Sequence, residues 1–147
     1  FSHIADQINA IRNDLLYLVD EDSNAFNMIM TAFKLPNSSE EEKNIKRKSI
    51  NKATIYAAKV PLDVMAKSYD CYDLILKLAK EGNQNSISDA GVACLCVNAA
   101  IYGAYLNVKI NLKGVSDDKG ILNSAKEIFK KSSLEKKNIL NYIEEVI

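Results

Sequence analysis

The chain has 147 residues, 48% of them apolar and 26% charged, with nineteen basic side chains, nineteen acidic ones and no formal net charge. This is the composition of one globular domain with enough apolar material for a core, and it lacks the basic excess that nucleic acids or anionic membrane surfaces select. No apolar run approaches the roughly 20 residues that cross a bilayer. The lone histidine, His3, excludes a histidine-built metal site and, unless His3 itself serves, a Ser-His-Asp or Cys-His nucleophile.

The first helix is expected over about Ser2 to Leu35, because Pro36 forbids its continuation. Leu15, Leu18, Val19, Phe26, Ile29, Met30 and Phe33 recur at three- and four-residue steps and form one apolar face. Asp22 lies four residues after Leu18 and four before Phe26, on that same face, while Asp20 and Asn24 share a neighbouring one. A carboxylate on a buried stripe loses hydration, which costs free energy unless it is paired or hydrogen-bonded. Such a position often marks a functional group. The competing reading puts Asp22 at the edge of a narrower stripe.

Ser38 or Ser39 caps a second helix, with Glu40, Glu41 and Glu42 facing the positive end of its dipole, and that helix runs to about Lys59. Its Lys43, Lys46, Arg47 and Lys48 either seat an anionic tail or form a solvated face paired with Glu40 to Glu42, the commoner use of such a run. Pro61 suits the first turn of a third helix ending near Glu81, with Gly82 as its stop.

Asn83 to Ser86 reads as a polar loop. Ser86 or Ser88 then caps a fourth helix reaching about Leu112. The β-branched Val108 and Ile110 permit a strand there, but the apolar positions continue the helical stripe. One seam of this helix, Asp89, Ala93, Cys96, Ala100, Gly103, Asn107 and Ile110, is built mostly of small residues. It is therefore expected to pack closely against another helix, within the chain or across a subunit interface. Asp89 and Asn107 stand ~27 Å apart along the axis and cannot touch one reacting atom. Asp89, in the first turn, is also well placed for a purely structural role against the dipole.

Cys94 and Cys96 point roughly 200° apart on a helix, so they cannot share a metal and read as small core residues. With Cys71 they form no disulfide framework, which suggests a reducing, cytoplasmic setting. Tyr69, Tyr72, Tyr102 and Tyr105 suit packing first and ring stacking second. Gly114 and Ser116-Asp117 make the last turn, and a fifth helix fills the remainder. No segment requires a strand partner. The fold class is all-α: an antiparallel bundle of about five long helices in a single domain.

Five stretches stand in register: Leu18-Val19-Asp20-Glu21-Asp22 through Ala25-Phe26; Phe33-Lys34-Leu35-Pro36; Val60-Pro61-Leu62; Gly82-Asn83 through Asn85 with Ser88-Asp89-Ala90-Gly91-Val92-Ala93; and Asn107-Val108-Lys109-Ile110-Asn111-Leu112. Together they resemble the cyclodeaminase family of folate one-carbon enzymes, which includes formiminotetrahydrofolate cyclodeaminase and methenyltetrahydrofolate cyclohydrolase. The resemblance covers essentially the whole chain. It implies a helical homodimer with a tetrahydrofolate derivative as substrate in a groove near the subunit interface and no tightly bound cofactor, beside the absence of nucleic acid and membrane partners expected from the charge balance. It also implies a helical segment and a Pro-Gly-rich loop preceding the point where this chain begins.

In that chemistry N10 of the folate attacks the formimino carbon on N5, ammonia leaves, and a cationic methenyl bridge closes. The step needs a base, an acid and a counter-charge. The resemblance assigns those roles to Asp22 and Asp20. Asn24, Asn85, Asp89, Asn107, Lys109 and Asn111 would hold the pterin or its side chain, since carboxamides match its donors and acceptors. Each asparagine alone is equally readable as a cap or a surface residue. Lys109 is readable as a snorkelling surface lysine, or as the counter-charge of a buried or folate carboxylate. A polyglutamylated folate would find its seat on Lys43 to Lys48. The other readings are the cyclohydrolase reaction in the same site, and a non-catalytic dimer that kept the fold.

Overall fold

The computed structural model describes residues 2–116 and 120–147. Among them are five α-helices and one 3-10 turn, and no strand. The helices are α1 (Ser2–Phe33), α2 (Glu40–Tyr69), α3 (Cys71–Glu81), α4 (Ile87–Asn111) and α5 (Ile121–Val146), with the 3-10 turn at Gln84–Ser86. The all-α expectation is met, with four long helices and one short one. Asp117, expected in the last turn, lies outside the described residues.

Local chemistry sets most boundaries. Ser39 caps α2 in a reciprocal box: its hydroxyl accepts from the Glu42 amide at 3.1 Å, and the Glu42 carboxylate accepts from the Ser39 amide at 3.1 Å. Gly82 closes α3, and a Cβ there would lie 2.3 Å from the Leu78 carbonyl oxygen, so no side chain fits. Ser86 stands at the start of α4 without a side-chain cap bond. Asn83 instead caps the 3-10 turn, accepting from the Asn85 amide at 3.1 Å.

Pro61 does not begin a helix. It lies inside α2, which runs unbroken to Tyr69, and the break falls instead at Asp70. Proline has no N–H, so the carbonyl of Ala57 loses its partner four residues on. The side-chain amide of Asn111, from α4, donates to that carbonyl at 2.8 Å. A tertiary contact thus replaces the missing helical bond.

The pairs Asp14–Lys67 and Glu21–Tyr56 show α1 antiparallel to α2. Asn98–Ser132 and the approach of Gly91 to Ile143 show α4 antiparallel to α5. The main core lies between α2, α3, α4 and α5 around Met65, Tyr72, Ile101, Val108 and Ile139, all essentially inaccessible. Burying an aliphatic side chain of this size contributes roughly 1.5–3 kcal/mol. Helix α1 is outside that core. It lies on α2 through a smaller cluster, Leu18, Ala25 and Ile29 against Tyr56, Ala57 and Val60.

Helix α4 departs from expectation in its long uncharged stretch and at Cys96, which was expected in the core. Residues 90–108 carry no charge, and the segment Gln84–Asn111 is long and apolar enough to cross a membrane by length and composition. In this fold one side of it is core. The small-residue seam is not packed within the chain: Ala93, Cys96, Ala100, Gly103 and Asn107 are exposed, and a Cβ on Gly103 would meet nothing within 4 Å. Cys96 is accordingly a surface residue, whereas Cys94 is buried.

Candidate active-site groove

Helices α1 and α4 both lie against α2 and leave a groove between them. Its volume is about 530 Å³. Leu15, Leu18, Val19, Asp22 and Ser23 form the α1 wall. Ala100, Ala104 and Asn107 form the α4 wall, and Val60, Pro61, Val64 and Ser68 line α2 between them. The walls are mostly apolar. The groups able to exchange protons or hydrogen bonds are one carboxylate, one carboxamide and two hydroxyls.

The groove brings together Asp22 and Asn107 among the sequence-predicted residues, and it leaves the others outside. Asp22 is exposed rather than desolvated. The reason is that the apolar stripe it belongs to is itself open in the chain: Val19 is 63% and Phe26 61% exposed. Only the side of α1 around Ala25 meets α2. Asp20 is an exposed residue of α1 beyond the groove lining.

Asn24 is held by its own helix, its amide donating to the Glu21 carboxylate at 3.1 Å. Asn85 and Asp89 are exposed at the opposite end of α4 from Asn107. Lys109 sits over the ring of Tyr105, its ammonium 5.5 Å from the centroid. Asn111 is committed to the Ala57 carbonyl. Lys43 pairs with Glu40 at 2.6 Å and Arg47 donates to Asn44 at 3.1 Å, as a solvated helix face would. The tyrosines pack: Tyr69 edge-on to Tyr72, and Tyr102 and Tyr105 on Phe129.

Sequence reasoning passed over Glu21 and Tyr56. The Tyr56 hydroxyl donates to the Glu21 carboxylate across the α1–α2 contact. That bond, with a smaller contribution from Asn24, holds Glu21 below the usual carboxylate range, and the same bond raises Tyr56. The negative charge of Glu21 raises Tyr17 beside it. A signal was present: positions 14, 17, 21 and 24 recur at helical steps as a second, polar stripe on α1. Ser68, 2% exposed and lining the groove, was also passed over. On the other side of α2 a hollow of about 570 Å³, lined by Lys52, Tyr56 and Lys59 among others, contains none of the predicted residues.

Residues 1–130 match the sequence profile described as formiminotransferase-cyclodeaminase. The chain is 36% identical over 114 residues to a methenyltetrahydrofolate cyclohydrolase from Methylorubrum extorquens, covering 78% of this chain and 55% of that protein. It is 36% identical over 107 residues to a formimidoyltransferase-cyclodeaminase from Gallus gallus, covering 73% of this chain and 20% of that one. The chain thus spans about half of the first relative and a fifth of the second. The crystal structure of a formiminotetrahydrofolate cyclodeaminase from Thermotoga maritima superposes with a TM-score of 0.75 at 28% identity, over 99% of this chain and 68% of that one.

Proposed function

This chain belongs to the formiminotransferase-cyclodeaminase family, and from that premise we propose that its groove takes a tetrahydrofolate derivative and closes the 5,10-methenyl bridge with release of ammonia. The observation that carries the reading is the pairing of Asp22 and Asn107 from opposite walls of one mostly apolar groove. Apolar walls suit the flat pterin, and Asn107 offers both a donor and an acceptor to its edge. The formimino group enters as its protonated amidinium, and Asp22 accepts the N10 proton as N10 attacks the formimino carbon, leaving an amine on that carbon. The protonated carboxyl then returns a proton to the departing amine, so the group ends as it began. Ionised, it also faces the cationic methenyl product.

The cyclohydrolase reaction is the second reading, favoured by the likeness to the Methylorubrum protein. There water adds to the same cation and Asp22 takes the proton from water. The exposed apolar face of α4 supports a homodimer, with a second copy covering the seam at Gly103. The free thiols of Cys71, Cys94 and Cys96 fit a reducing, cytoplasmic compartment.

Methenyltetrahydrofolate has its own absorbance band, which makes the test direct. Its appearance from 5-formiminotetrahydrofolate, with ammonia released in equal amount, establishes the deaminase. Its disappearance without ammonia establishes the hydrolase. Neither change, with no folate bound in calorimetry, overturns both and leaves a non-catalytic member of the fold.

A further inference from the structure

Helix α1 lies along α2 on an apolar ridge of Leu18, Ala25 and Ile29, with the buried Ala32 further along the same helix. An apolar ridge of this kind sets where two helices meet, and the contacts on its flanks set the roll about the axis. The side-chain polar contacts described between α1 and α2 lie on one flank. Asp14 pairs with Lys67 at 2.7 Å, and Glu21 accepts from Tyr56. Asn24, on the same flank, donates to Glu21 at 3.1 Å. The opposite flank, Leu15, Val19 and Asp22, lines the groove.

The two links are unequal. Asp14 and Lys67 are 51% and 45% exposed, and exposed pairs of this kind contribute little. The Glu21–Tyr56 bond is charge-assisted and partly buried, and it joins residues 35 apart in sequence. Its carboxylate stays ionised, and so a strong acceptor, because the Tyr56 bond itself holds it low. Glu21 also immediately precedes Asp22, which projects ~100° further round the helix.

We propose that Glu21 is a positioning residue: its bond to Tyr56 fixes the roll of α1 and thereby aims Asp22 into the groove. The inference rests on the folate reading of that groove. Glu21 itself faces away from the groove lining and touches no reacting atom. Loss of the bond lets α1 roll on its ridge and swing the Asp22 carboxylate off the substrate, while the ridge keeps the helix attached.

Three variants test this in the methenyl absorbance assay: Glu21→Leu, Tyr56→Phe and Glu21→Gln. Glu21→Leu and Tyr56→Phe should each lower kcat about 10- to 100-fold, the scale of a misplaced catalytic group, with KM little changed. Their combination should be no worse than either alone. Glu21→Gln keeps an acceptor for Tyr56 and should restore kcat to within about twofold of the parent, far from the loss that misplacement brings.

The roll is read without substrate from spin labels at Asn27→Cys and Ser133→Cys, with Cys71 and Cys96 replaced by serine. In Glu21→Leu the distance should shift or broaden by about 5 Å, the radius of a helix with its side chains, and in Glu21→Gln it should not. Unchanged kcat in Glu21→Leu and Tyr56→Phe overturns the proposal. Equal loss in Glu21→Gln and Glu21→Leu also overturns it, since the charge would then act on the chemistry directly. A parent that neither turns over nor binds folate sinks the enzymatic reading. The spin-label distance then decides the roll on its own, an unchanged distance ending that part as well.

Discussion

Asp22 shows how much one position can carry and how much context it needs. Its place four residues from both Leu18 and Phe26 made it visible in the sequence, but exposure could not be read there, because periodicity identifies an apolar face without saying what covers it. In the structure Asp22 is exposed, has no ion pair among the described residues, and is not opposed by Lys109, which lies over Tyr105. Asp22→Asn should therefore leave the melting temperature within about 2 °C of the parent, as surface changes free of such contacts usually do. It should lower turnover by roughly 10²-fold or more, the scale for a lost acid/base group. Full activity with full stability would return Asp22 to the edge of the stripe. Glu21 carries a different expectation. Its carboxyl is held below the ordinary 4.5 by the Tyr56 hydroxyl first and Asn24 second, so folding favours the ionised form. The contribution is fully present above the unfolded value near 4.5 and is lost as pH falls through the lower folded value. The melting-temperature advantage of the parent over Glu21→Gln should thus be constant at neutral pH and shrink on acidification below that range. An advantage that does not change with pH would show that the charge contributes nothing.

At the scale of the helix, what was legible was local. Ser39 with Glu42, and Gly82 after α3, set boundaries through neighbours within four residues. Pro61 was misread for the opposite reason: the group that lets α2 pass through it, the Asn111 amide, is fifty positions further along the chain. Asn111 belongs to the motif that resembles a folate site, yet its amide is engaged by α2's own backbone. The Ala57 carbonyl is part of a residue only 5% exposed, so removing its donor leaves a buried acceptor without its partner. Asn111→Leu should cost roughly 1–3 kcal/mol by chemical denaturation. In a Pro61→Ala background the restored N–H at position 61 can supply the bond, and the same Asn111→Leu change should cost much less. A double-mutant cycle measures that coupling. Equal costs in both backgrounds would show that Asn111 stabilises the fold by some route other than the proline gap.

For the whole molecule, the all-α bundle could be read from composition and spacing, but the length of the uncharged stretch in α4 was passed over, and which faces the chain covers for itself could not be read. Main-core burial goes to α2, α3, α4 and α5, and among the described residues an apolar face is left open on α1 and another on α4. On α1 the open face runs through Val19, Phe26 and Phe33, and on α4 through Val92, Leu95, Tyr102 and Leu106, all around half exposed or more. The α4 positions, with Ala99 between them, step by three and four residues, the spacing of a helix–helix seam. Gly103 belongs to the adjoining small-residue seam, with Ala93, Cys96 and Ala100, and distinguishes the two states of the molecule. Within one chain an added Cβ there meets nothing within 4 Å. Gly103→Leu should then stabilise a monomer by roughly 0.5–1 kcal/mol through the lost flexibility of glycine in a helix. Across a close dimer contact the same side chain would overpack the seam, at a cost on the order of 1–3 kcal/mol. The proposed dimer therefore predicts that Gly103→Leu halves the mass measured by light scattering at micromolar concentration, while the melting temperature of the resulting monomer is no lower than that of the parent diluted to the same state. A dimeric mass in both proteins would move the interface away from this seam, and a monomeric mass in both would remove the dimer altogether.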